Sequence, residues 1–151
     1  MIESRAGSVR PASGKKIQDT METKNTRERS VILGVGAVFN FAAAAILAVL
    51  VRIAPEWLAV VAIDPVMLMF ADLLCALVAG FGVAYAFAWA DFDRYRPFVG
   101  LGVGCKVAVV LVVAFHLAFG TAPLLVVLLA SGDLVFAVLY LRLLTKGQHR
   151  H

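Results

Sequence analysis

The sequence predicts an all-α integral membrane protein, a bundle of four transmembrane helices with both chain ends on the cytoplasmic side. Three observations carry that expectation. Hydrophobic residues make up 62% of the 151 residues, with a mean hydropathy of +0.89, well above soluble usage. Four apolar segments are each long enough to cross a hydrocarbon core about 30 Å thick. Lys and Arg gather on one side of the hairpins that these segments make, as the positive-inside rule requires.

Residues 1–30 hold seven of the fourteen Lys and Arg, mixed with acids, Gly, Ser and Pro and with few large apolar side chains. Such a segment buries too little surface to offset its ordering entropy, which predicts a disordered cytoplasmic tail. The first span follows at about 31–51, free of charge throughout. Arg52, Pro55, Glu56, Trp57 and Asp64 form a connection at the outer interface, where Trp favours the headgroup level. Pro65 suits the first turn of a second span, about 65–90. The charged run DFDRYRP, residues 91–97, reads as a loop, with Pro97 opening a third span at about 97–119. A short turn around Gly120 leads to Pro123 and a fourth span at about 123–144, and residues 145–151 form a cytoplasmic C-terminal tail. With two basic residues in the 91–97 loop, three at the C-terminus and only Arg52 on the opposite side, both ends are placed inside.

The net charge of +4 is mostly a property of the basic tail. Beside a membrane it points to anionic lipid headgroups, not to nucleic acid, since its cations alternate with Glu3, Asp19, Glu22 and Glu28. Cys75 and Cys105 lie in apolar stretches without metal-ligand spacing, so neither a zinc site nor a disulfide framework is predicted. His149 and His151 sit at the chain end. No Ser-His-Asp set, HExxH, P-loop or CxxCH occurs, so no catalytic residue, metal ligand or cofactor is predicted.

Ionisable groups at membrane depth are costly unless paired or wetted, so they are the place to seek function. At 1.5 Å per residue, Asn40, Lys106 and Asp133 lie about 13, 12 and 16 Å from the cytoplasmic ends of their helices, near one level. They form the leading candidate cluster. Asp72 and His116, whose depths agree within about 5 Å, form a second candidate pair nearer the outer side. Helical phase turns both sets inward: Asp133 shares a face with Ala137 and Tyr140, Asn40 with Gly36, Ala37, Ala43 and Ala44, and Asp72 with Cys75, Ala76 and Ala79. Lys106 falls in a stripe with Val109, Val113 and His116. Gly100 and Gly104 make a GxxxG step for close helix contact, within the bundle or with another chain. In the 91–97 loop, Asp91 and Asp93 suit the end of one helix and the start of the next, while Arg94 and Arg96 offer an alternative headgroup site. Tyr85, Trp89, Tyr95 and Tyr140 fit an interfacial aromatic belt.

The run DRYRPFVGLGVGCK, with its embedded lysine, and SGDLVFAVLY on the last helix resemble small bacterial four-helix inner-membrane proteins of a loosely DoxX-like kind. That resemblance covers Tyr85 to Leu144 and implies a bacterial inner-membrane location; some such proteins look like membrane subunits of quinone-linked redox systems. Three functions follow as expectations: a structural or accessory membrane subunit, with a homo-oligomer or a partner membrane protein; a proton-linked small-molecule transporter; or a quinone-binding subunit.

Overall fold

A computed structural model of the chain describes residues 12–58, 60 and 64–146. Among them run α1 (Ala12–Ile53), a 3-10 turn (Pro55–Leu58), α2 (Pro65–Ala90), α3 (Phe92–Ala118) and α4 (Leu124–Lys146). All four α-helices are long and apolar enough to cross a membrane. The protein is a multi-pass membrane protein with an all-α, up-down-up-down fold. Packing is most extensive within the α1–α2 and α3–α4 hairpins; α2 meets α3, and α1 touches α4 more lightly.

Local chemistry explains the connections. Asp64 accepts a hydrogen bond from the Met67 amide at 2.7 Å, and Pro65 occupies the first helical position of α2. At the end of α3, Gly120 has φ +68°. Its amide donates to Leu117 O at 3.0 Å and the Thr121 amide to His116 O at 2.9 Å. This is the Schellman pattern, which closes the helix and turns the chain within a few residues into α4.

Two expected boundaries are corrected. The tail expected to be disordered through residue 30 is helical from Ala12 onward, and residues 1–11 lie outside the described residues. Lys, Arg, Glu, Gln and Met dominate 15–29 with no proline, and a helix already nucleated in the membrane extends through such residues without a new nucleation cost. The 91–97 loop is likewise absent: Asp91 alone joins α2 to α3, and Pro97 lies inside α3. One residue serves both ends, because the Asp91 backbone amide donates to Phe87 O at 2.9 Å while its carboxylate accepts from the Arg94 amide at 3.2 Å. The second and fourth spans begin and end within about two residues of expectation, the usual margin for helix ends; residues 147–151 of the expected C-terminal tail lie outside the described residues.

The bundle is keyed by aromatic rings seated on glycines. Each helix supplies one such notch: a Cβ at Gly36 would meet Tyr140, at Gly82 Phe41, at Gly102 Tyr85 and at Gly132 Phe39. The expected GxxxG step is not the close approach. A Cβ at Gly104 would have nothing within 4 Å, and one at Gly100 would meet only Leu144 at 4.0 Å. Burial is uneven along the axis. Residues 65–81 of α2, 107–118 of α3 and 124–129 of α4 include no buried residue, whereas the half nearer the termini holds Leu33, Tyr85, Ala88, Val99, Tyr140 and Leu143. Burial in α2, α3 and α4 is therefore concentrated toward the termini end, while α1 is also buried in its far half at Ala43, Ala44 and Val51.

Gly102→Ala places a methyl 2.1 Å from the Tyr85 hydroxyl. It is expected to lower stability by about 1–3 kcal/mol, the usual range for overpacking. Thermal unfolding in mild detergent checks this, with partial recovery expected when Tyr85→Phe is added.

Candidate functional site: a buried ion pair in an aromatic cage

Lys106, on the third turn beyond Pro97 in α3, and Asp133, on the third turn of α4, meet as the leading cluster anticipates. Their ammonium and carboxylate are hydrogen-bonded as an ion pair. The Lys106 side chain is 6% exposed and that of Asp133 is 19% exposed, so the carboxylate is the more accessible end. The ammonium also lies over three rings, Phe39 at 5.4 Å, Phe136 at 5.7 Å and Tyr85 at 5.8 Å from the centroids. Ring faces carry negative quadrupole density, so they stabilise a cation that has little other solvation. The four helices all contribute to this centre: Phe39 and Asn40 from α1, Tyr85 from α2, Lys106 from α3, and Asp133, Phe136 and Tyr140 from α4.

Asn40 is buried, but its amide donates to Gly36 O of its own helix at 2.8 Å. The carboxamide satisfies itself locally, one turn back, and no bond to the ion pair is among those the structure gives. Tyr85 and Tyr140 are corrected more strongly. Expected in an interfacial belt, both are fully buried, with ring centroids 4.7 Å apart. Their hydroxyls have no hydrogen-bond partner; they fill the notches at Gly102 and Gly36. Tyr140 was legible in the stripe it shares with Asp133 and Ala137, since a residue in phase with an inward carboxylate is itself inward. Tyr85 carried no such signal.

The second candidate pair does not form. Asp72 binds Arg52 of α1 at 2.7 and 2.9 Å, in an ion pair whose side chains are 44% and 49% exposed. His116 is exposed and bonds through Nδ1 to Thr121 Oγ1 at 2.9 Å, within the turn to α4. Sequence proximity across a hairpin decides both: Arg52 ends the helix that packs on α2, and the Schellman turn folds Thr121 back onto His116. Asp72 also edges an open groove of about 510 Å³ lined by Pro65, Leu68, Met69, Leu73 and Ala76.

In the 91–97 segment, Asp91 caps α3, and Asp93 lies in its first turn, where a carboxylate favours the helix dipole. Arg96 donates to Leu144 O at 2.6 Å, closing α3 onto the end of α4, and Arg94 lies 5.5 Å from the Tyr95 ring centroid. The α1 extension is tied to the same end by Arg29 over the Phe92 ring at 4.7 Å and by Glu28 to Arg142 at 3.8 Å. Cys75 and Cys105 are free thiols. No group of three His, Cys, Asp or Glu side chains that could hold a metal comes together among the described residues.

Comparison of the chain with protein families, curated proteins and solved structures finds no match. The chemistry of this centre therefore stands on its residues alone.

Two substitutions separate the centre from its surroundings. Asp72→Asn breaks a half-exposed pair and is expected to change stability by about 1 kcal/mol or less. Tyr140→Phe removes an unpartnered hydroxyl and is expected to be neutral within about 1 kcal/mol, because no hydrogen bond is lost. Thermal unfolding of both variants in detergent checks the two values.

Proposed function

We propose that this chain is a bacterial inner-membrane protein with both termini in the cytoplasm, and that it acts as a structural or accessory membrane subunit. One observation carries the proposal: the charges of Lys106 and Asp133 are spent on each other inside an apolar bundle, at the point where α3 and α4 must stay in register. A buried pair of this kind defines one arrangement of its helices, since any slip leaves a charge in hydrocarbon. The cytoplasmic placement of the termini is supported by the excess of Lys and Arg at that end, including Lys24, Arg27, Arg29, Arg94, Arg96 and Arg142. Membrane lipids are its immediate partners, and a second copy or another membrane protein is the proposed assembly partner. The DoxX-like kinship is proposed on the same two short motifs, one of which carries Lys106 and the other Asp133.

A second function, a small-molecule transporter, is favoured by a separate observation. Lys106 is the last buried residue of α3 toward the far end, and Asp133 keeps the greater exposure of the two.

A double-mutant cycle tests the structural role. Asp133→Asn leaves an unpaired ammonium and Lys106→Met an unpaired carboxylate; each is expected to cost about 3–5 kcal/mol and to lower accumulation in the membrane. The combined variant is expected to recover much of that loss. Equal accumulation and equal unfolding of all three with wild type would show that the two side chains are not coupled. Reporter fusions at each terminus and in the 54–64 connection test the orientation, with cytoplasmic signal expected only at the termini.

A further inference from the structure

The ammonium of Lys106 is held as a bound organic cation would be. Three ring faces lie 5.4–5.8 Å from it, and a single carboxylate closes the shell. Carbon faces around a positive nitrogen, with one counter-ion, are the recognition chemistry of ammonium ions. They are poor ligands for a metal ion, which needs several oxygen donors to replace its water. Lys106 differs from a free ligand in one respect only, its tether to α3.

Two further features bear on access. Beyond Lys106 and Asp133, residues 107–118 of α3 and 124–129 of α4 include no buried residue, while α1 stays buried there at Ala43, Ala44 and Val51. The carboxylate, at 19% exposure against 6% for the lysine, is the member of the pair that an incoming cation meets first. The far end is also acidic among its described residues, where Glu56, Asp64 and Asp72 stand against Arg52 alone. A local negative potential raises the concentration of cations at such a mouth.

We propose that Asp133 and the Phe39, Tyr85 and Phe136 rings form a binding site for an organic ammonium ion, with Lys106 as its tethered occupant, which the incoming cation displaces. The proposal rests on Lys106 and Asp133 meeting inside the bundle. The exchange is one cation for another at a single carboxylate, with no covalent step. A tethered competitor has a high local concentration and weakens the apparent affinity of any free cation. Removing it while keeping the cage therefore strengthens binding, which a purely structural ion pair does not predict.

Tetramethylammonium is the probe, because its charge is independent of pH and it is an organic ammonium ion with no hydrogen to donate. Binding is measured by methyl-proton NMR on protein in nanodiscs, with sodium chloride at equal ionic strength as the control. Wild type is expected to bind weakly and saturably, Lys106→Met roughly tenfold more tightly or better, and Asp133→Asn not at all. A folded Lys106→Met that binds no more tightly than wild type overturns the proposal, as does undiminished binding by Asp133→Asn. Wild type itself supplies a measurement that needs no variant. Acylation of Lys106, followed by peptide mass spectrometry, is expected to rise several-fold with tetramethylammonium, and unchanged acylation overturns the displacement. Coupling in the double-mutant cycle without these effects rejects the cation site and leaves the ion pair in place.

Discussion

The cost of a charge in hydrocarbon organises this molecule. Lys106 and Asp133 cannot face lipid without losing several kcal/mol, and the pair they form sets the relation of α3 to α4. What surrounds them follows from the same constraint. The Lys106 side chain is only 6% exposed, and ring faces from α1, α2 and α4 surround its ammonium. Those rings are large, so the helices must approach closely elsewhere, and Gly36, Gly102 and Gly132 provide the space. Charge, rings and glycines form one interlocked centre.

The two ends of the bundle obey different chemistry. At the termini end, Asp91 joins two helices by capping one and closing the other, Arg96 reaches the last turn of α4, and Arg29 covers Phe92. Polar groups there have water nearby and act as clasps. At the far end the helices expose large side chains such as Phe70, Leu111 and Phe115. Lipid tails are as apolar as leucine, so nothing in the solvent forces those faces together. The only strong polar link among the described side chains of α1 and α2 at that end is the half-exposed pair of Arg52 and Asp72.

That asymmetry bears on function. Of the pair, Asp133 keeps the greater exposure, so its carboxylate is the more accessible end. A lock and a site can share the same atoms, since an ion pair that one ligand can compete for is also a contact that one ligand can release.

How much of this was legible before folding differs by scale. Hydropathy and length determine four helices, because a backbone in lipid must satisfy its own hydrogen bonds. The meeting of Lys106 with Asp133 was readable from depth and phase, because two opposite charges at one level have few other places to go. Asn40 is buried, but its amide bonds its own helix, a local option open to any Asn that depth and phase do not exclude. The pairing of Asp72 was misjudged, since depth alone does not say which neighbour is adjacent, and α1 lies closer than α3. The burial of Tyr85 and Tyr140 was decided by tertiary structure alone. A tyrosine near a helix end suits an interface or a core equally well, and only the glycine notch on the facing helix settles which. The sequence by itself determined the spans and the charges that must meet; the three-dimensional packing decided which aromatic faces enclose them, because that depends on the relative rotation of helices distant in the chain.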